Sequence, residues 1–247
     1  MAKSKKKKAR FSIDQERGTA KFEAFCGRDE RLPSKELVPR NPEQKSYINA
    51  IKNNTVVVCT GKPGTGKTFI PAVLAAQEMY KHKSVTERVI LIRPNEPLGK
   101  SLGMLPGDLK EKLEPWLVPI KDGIVWAIGK YGYEGLFKDE KIQFLAVEHV
   151  RGRTFNNAFV IVDEAQNISK EAMVAILTRI GEDCTMVVCG DVAQKDIKTD
   201  SGLAMLMGLK GKYDYLPFRH IELEENVRSR ESSAFYEIFY EEGIIDV

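Results

Sequence analysis

The chain has 247 residues, 43% of them hydrophobic, with 38 basic and 35 acidic side chains. That length suffices for one large α/β domain with a substantial core, and no apolar run approaches the roughly 20 residues of a membrane helix. The net charge of +3 belongs to one end: residues 1–10 carry +6, which leaves −3 for the rest, so affinity for nucleic acid has to come from local patches or from that tail.

In chain order, residues 1–10 (Lys3, Lys5 to Lys8 and Arg10, without an acid) have nothing apolar to bury and are expected to be a disordered basic tail, either solubilising or contacting phosphate backbones. No apolar stretch of leader type follows the tail, and a cytoplasmic protein is expected. Residues 11–40 show little periodicity and are expected to form an arm ahead of the domain proper, residues 41–247. After the turn Asn41-Pro42, residues Tyr47, Ile48 and Ile51 recur at helical spacing and predict a helix to Lys52. Gln44 lies on its first turn, where a side-chain amide suits either an adenine edge or solvent.

The central stretch comes next. Val56-Val57-Val58-Cys59 reads as a strand buried on both faces. It runs into Gly61-Lys62-Pro63-Gly64-Thr65-Gly66-Lys67-Thr68, and a helix is predicted from Phe69 to Tyr80. Strand, glycine-rich loop and helix in that order are the context of a phosphate-binding loop. The glycines let successive N–H groups converge on one cavity, and the helix N-terminus adds its positive dipole end. Lys67 is placed to reach the outer phosphates and the Thr68 hydroxyl to ligate magnesium. Pro71, inside the following helix, predicts a slight distortion there.

Arg88–Arg93 predicts the next strand, stopped by Pro94. Gly99, Gly103, Pro106 and Gly107 then predict a long ordered loop. Asp108 is expected to cap a helix through Leu109, Leu113, Trp116, Leu117, Ile120 and Ile124, bent around Pro115 and Pro119. Residues 130–141 read as a surface insertion. Ile142–Val147 and Ala158–Val162 predict two more strands, flanking Arg151-Gly152-Arg153-Thr154. A helix from Ser169 to Ile180, with Ser169 as its N-cap, precedes a strand at Thr185–Cys189. A helix at about 201–210, a short strand at 218–223 and an amphipathic helix at about 231–240 complete the pattern. Strands alternating with helices imply a P-loop α/β fold, a mostly parallel sheet covered on both faces.

In such a sheet, ligands bind beyond the carboxyl ends of the strands. Val160-Ile161-Val162 ends in Asp163-Glu164-Ala165-Gln166. Adjacent acids after a buried strand are costly without a positive partner. Asp163 has the position of a magnesium-holding carboxylate and Glu164 that of a general base. The alternative is a pair of acids capping the next helix. Beyond Cys189 come Gly190, Asp191 and Gln194, suited either to reading the γ-phosphate or to a plain turn. Charge on a transferring phosphoryl group calls for an arginine. Arg228 and Arg230 are the first candidates, followed by Arg151, Arg153 and Arg179, acting within the chain or from a neighbouring subunit. Arg93, Lys100, Arg151 and Arg153 also suit a nucleic-acid backbone. Cys26, Cys59, Cys184 and Cys189 form no Cys-x-x-Cys pair and only three histidines occur, so neither a disulfide framework nor a zinc site is expected.

Taken together, the sequence resembles the PhoH family of ATPases, relatives of the core domain of superfamily 1 helicases, from about Asn41 to Arg230. The resemblance rests on Arg93-Pro94, Leu102-Gly103-Met104-Leu105-Pro106-Gly107-Asp108-Leu109 and Arg151 to Ala158. It continues through Asp163-Glu164-Ala165-Gln166-Asn167, Leu177-Thr178-Arg179-Ile180-Gly181 and Gly190-Asp191. It implies a RecA-like ATPase core using ATP and magnesium. In that core Gln44 resembles an adenine reader, Gly61 to Phe69 the phosphate-binding residues and Asp163 a metal carboxylate. Glu164 then resembles the catalytic base, Gln194 a γ-phosphate sensor and Arg228 a late-motif arginine. The family's association with RNA implies a single-stranded RNA or DNA partner. A single phosphate loop implies either a homo-oligomer, such as a hexameric ring, or an ATPase without strand-separating power. The short form is similar to PhoH-like proteins of bacteriophages, and a PIN nuclease domain is not expected. Two other readings stay open: a nucleotide-gated binding module with negligible turnover, and a small-molecule kinase, against which the Asp163-Glu164 pair argues.

Overall fold

The computed structural model describes residues 34–81, 83–94, 109–192, 200–210, 212, 213, 215–228 and 230–243, with residues 109–116, 230, 232, 233 and 240 described in their backbone only. Helix α1 (Pro42–Asn53) leads into β1 (Val56–Gly61), and α2 (Phe69–Met79) leads to β2 (Arg88–Arg93). Helix α3 (Leu109–Lys138) precedes β3 (Ile142–Ala146), a 3₁₀ turn at Val147–His149 and β4 (Ala158–Val162). After a second 3₁₀ turn at Ala165–Asn167 come α4 (Lys170–Leu177), β5 (Thr185–Gly190), α5 (Gly202–Leu209), β6 (Arg219–Leu223) and α6 (Arg230–Glu241). The six strands form one sheet in the order β3-β2-β4-β5-β1-β6, and every neighbouring pair is parallel. All strands therefore deliver their carboxyl ends to one edge.

Alternation along the strands divides the core in two. Val57 and Cys59 of β1 face α1, α2 and α3 together with Leu91, Phe159 and Val187, while Val58 faces α4 and α5 with Ile90, Val160 and Val188. Burial on both faces explains why these strands read as unbroken apolar runs. Among the described residues, no helix is long and apolar enough to cross a membrane.

The expected boundaries of β2 and β4 match the structure, and Ser169 caps α4, its hydroxyl accepting from the Ala172 N–H at 3.3 Å. One expectation is overturned. Residues 130–141 are not a surface insertion: α3 continues to Lys138, and Tyr133 and Leu136 are buried in the core. Pro115 and Pro119 both lie within the helix, and the one non-helical residue is Gly129 (φ 76°, ψ 167°), where a residue without Cβ lets the axis change direction. Pro71 is the third residue of α2, in the first turn where the amide needs no helical partner, and it is accommodated and buried. The expectations for residues 1–33, for the loop at 95–107 and for the Asp108 cap lie outside the described residues.

Candidate functional site

β1 ends at Gly61, whose φ of 147° turns the chain out of the sheet. A Cβ there would meet the Leu223 carbonyl oxygen of β6 at 1.9 Å, so no side chain fits. The loop that follows is tied internally. The Lys67 ammonium donates to the carbonyls of Gly61 and of Lys62, the latter at 2.6 Å. The Thr65 hydroxyl donates to the Lys62 carbonyl at 3.0 Å. From beneath, the Lys67 carbonyl accepts from the Tyr47 hydroxyl at 2.9 Å and from the Cys189 thiol at 3.1 Å. Burial pushes Cys59 up to about 12, and raises Tyr47 and Cys189 too, so all three stay neutral beneath the loop.

Thr68 stands at the head of α2 and makes no capping bond with its side chain. Its hydroxyl donates instead to Asp163 Oδ1 at 2.7 Å, linking the phosphate-loop side of the cavity to the end of β4. Asp163 is buried. Burial raises its carboxyl above the ordinary range, and the Thr68 bond and the Arg93 charge pull it back. Arg93, at the end of β2, places Nε 3.5 Å from Asp163 Oδ2 and Nη2 3.5 Å from Glu164 Oε1. Glu164 is 37% exposed, against 7% for the Asp163 side chain, so one acid lies inside the wall and the other opens to the cavity.

These groups share one cavity of about 760 Å³ at the carboxyl edge of the sheet. Gly64, Lys67, Thr68, Arg93, Asp163 and Glu164 line it. Hard oxygens of Thr68 and Asp163 lie side by side there, a donor set that suits magnesium, which keeps several waters and takes one or two protein oxygens. No cluster of three or more His, Cys, Asp or Glu side chains able to hold a metal occurs among the described residues.

The other expected residues divide. Gln44 lines the cavity, buried; its Oε1 accepts from the Arg40 N–H and its Nε2 donates to the Thr65 carbonyl, each at 3.0 Å. The amide keeps one donor and one acceptor position beyond these two bonds. Phe69 lines the cavity and packs edge-on against Trp126 of α3. The Lys62 ammonium sits over the Tyr236 ring of α6 at 5.5 Å. Arg228 reaches the cavity from its own chain, because the segment before α6 is laced to the phosphate loop. There Val227 N–H donates to the Gly64 carbonyl at 3.1 Å, Arg40 donates to the Val227 carbonyl at 2.7 Å, and Glu224 N–H donates to the Glu43 carboxylate at 2.9 Å.

Arg151 and Arg153 stand in an exposed turn and do not line the cavity; neither does Arg179. Arg230 begins α6. Lys100 and Gln194 lie outside the described residues. Three contributions escaped the sequence reading. Arg93 was read as suiting a nucleic-acid backbone, and its contacts with both carboxylates were not foreseen. Arg40 and Gln166 had no role, and only their contacts across the fold reveal one.

A glycine-rich loop between strand and helix, joined through Thr68 to a strand-end aspartate on a parallel sheet, defines a P-loop nucleotide-binding domain of RecA-like architecture. The family model for the PhoH-like protein matches residues 36–240, and the chain belongs to the PhoH family. It is 41% identical over 174 residues to the PhoH-like protein of Bacillus subtilis, covering 68% of this chain and 54% of that one. It is 38% identical over 187 residues to the PhoH-like protein of Synechocystis, covering 75% and 56%. The chain thus spans about half the length of the curated relatives it matches. Among solved structures it is similar to the large terminase of a thermophilic bacteriophage, with a TM-score of 0.49, 10% identity, and coverage of 82% of this chain and 51% of that one.

Proposed function

We propose that this chain hydrolyses ATP with magnesium and that turnover is coupled to single-stranded nucleic acid, RNA foremost. The observation that carries the reading is the placing of Lys67, Thr68, Asp163 and Glu164 on one cavity, with the deeper acid bonded to Thr68 and the outer one open. Thr68 and Asp163 would hold magnesium, which would supply charge neutralisation at the phosphates. The ammonium of Lys67 and the guanidinium of Arg228 hold the negative oxygens of the outer phosphates. Glu164 takes a proton from a water as its oxygen forms a bond to the γ-phosphorus. The bond from that phosphorus to the bridging oxygen breaks, its electron pair staying with ADP, and inorganic phosphate leaves. Gln44 orients the base edge with the amide positions its two bonds leave over.

Coupling to nucleic acid is supported by the exposed Arg151 and Arg153 and by the six basic side chains of residues 1–10. Self-association is supported by α6, where Phe235, Ile238 and Phe239 stand exposed at i, i+3 and i+4. Phosphate release measured with and without single-stranded RNA or DNA tests the reading. Polynucleotide is expected to raise the rate, and an unchanged rate removes the coupling. Glu164→Gln is expected to lower turnover about 10²- to 10⁴-fold while ATP still binds; wild-type turnover in that variant means that the base is another group.

A further inference from the structure

Glu164 is held in an unusual way. Its backbone is left-handed (φ 51°, ψ 42°), a conformation that a side-chain-bearing residue keeps only when its surroundings enforce it. Two main-chain bonds enforce it here, from Asp163 N–H to the Ile92 carbonyl and from Asn167 N–H to the Glu164 carbonyl, each at 2.9 Å. They fix the backbone but not the carboxylate, which still turns about its own torsions.

The carboxylate is fixed by Gln166. Its Nε2 donates to Glu164 Oε2 at 2.8 Å, and its Oε1 accepts from the Asp191 N–H at 3.0 Å. Gln166 is 3% exposed and does not line the cavity, so it acts there only through the residues it holds, the Glu164 carboxylate and the Asp191 main chain, both of which do line it. The end of β5 presses on it closely: a Cβ added at Gly190 would lie 2.8 Å from Gln166 Oε1. The amide thus joins the end of β4 to the end of β5. The other described partner of the Glu164 carboxylate is Arg93, on the opposite oxygen and at 3.5 Å, a longer contact with less directional control.

We infer that Gln166 is a positioning residue: its amide clamps the Glu164 carboxylate to the main chain of Asp191 and so sets the direction in which that carboxylate faces the cavity. This rests on the assignment of Glu164 as the base that activates water. Orientation errors of about 1 Å cost roughly 10²-fold in rate, while the groups that hold phosphate, Lys67 and Thr68, are untouched by Gln166. The inference therefore separates the two kinetic constants.

The test is steady-state phosphate release by the full chain. Gln166→Met keeps the volume, adds no charge and removes both bonds; Gln166→Glu keeps the acceptor for Asp191 and, when ionised, sets a second carboxylate against Glu164. Both are expected to lower kcat about 10- to 100-fold, with KM for ATP within about twofold in Q166M, and Q166E, which buries a charge beside a like charge, also melts below wild type. In a Glu164→Gln background, adding Q166M is expected to change the residual turnover no further. Unchanged kcat in Q166M beside an inactive E164Q overturns the role of Gln166 alone. So does a loss confined to KM, or a Q166M effect that persists undiminished in the E164Q background. Wild-type turnover in E164Q overturns the base assignment, and the positioning role with it.

Discussion

At the end of β1 the polar groups that face the cavity belong largely to the main chain and to one lysine folded back on its own loop. At the end of β4, with only β5 between, they are two carboxylates whose partners arrive from elsewhere: Thr68 from the head of α2, Arg93 from β2, and Asp191 from β5 by way of Gln166. The first arrangement is built almost entirely from consecutive residues and depends on backbone shape. The second is built from four separate stretches and depends on the register that brings Ile92 opposite Val162 and Val162 opposite Val188. A phosphate loop therefore fails through sterics, and a carboxylate pair fails through lost partners.

The steric side breaks most severely. Gly61→Ala drives a Cβ into the Leu223 carbonyl of β6 and imposes a φ that alanine avoids. A stability loss of about 3–5 kcal/mol is expected in chemical denaturation; an alanine variant as stable as wild type would show that β6 yields there. The partner side breaks next. Arg93→Met leaves Asp163 and Glu164 together without their cation. Stability is expected to fall by about 1–3 kcal/mol, the penalty of an uncompensated buried charge, and turnover is expected to fall with it; a melt and a rate both unchanged would mean that Thr68 and Gln166 suffice.

The smallest effect tests the flank of β1. His220 on β6 sits beside Thr60, with Nε2 2.8 Å from the hydroxyl, while the Lys210 ammonium donates to Nδ1 at 2.8 Å, so Nε2 carries the proton and donates. Burial lowers its pKa below the ordinary 6.5, helped by Lys210 and Arg219. The unfolded chain then takes up the proton more readily than the folded one, so stability is present above about pH 6.5 and declines as the pH falls through that value toward the depressed one. A melting temperature that drops slightly between pH 7.5 and 5.5 in wild type, and less in His220→Gln, is the expected result; identical slopes would remove His220 from the account.

How far the sequence spoke follows the same division. The loop from Gly61 to Thr68 and the strands Arg88–Arg93 and Ala158–Val162 were legible because short-range pattern determines them. The second half of α3 was not. Its glycines and charges masked the spacing of Tyr133 and Leu136, which only a tertiary core makes worth burying. The carboxylate contacts of Arg93 were missed for a similar reason. An arginine at a strand end looks the same in a sequence whether it faces solvent or a carboxylate delivered by another strand. Gln166 stood in view beside Asp163 and Glu164, yet its partner lies 25 residues away, at Asp191.

The common direction of the six strands has a practical side. The starting ends of β2 and β3 form a second rim, where Thr86, Arg88, Lys141 and Gln143 surround a smaller hollow of about 410 Å³. A strand of five residues puts that rim about 17 Å from the nucleotide groups. A dye or surface tether attached at the exposed Lys141 would leave the far mouth of the molecule open, which makes that rim the natural handle for watching single molecules turn over.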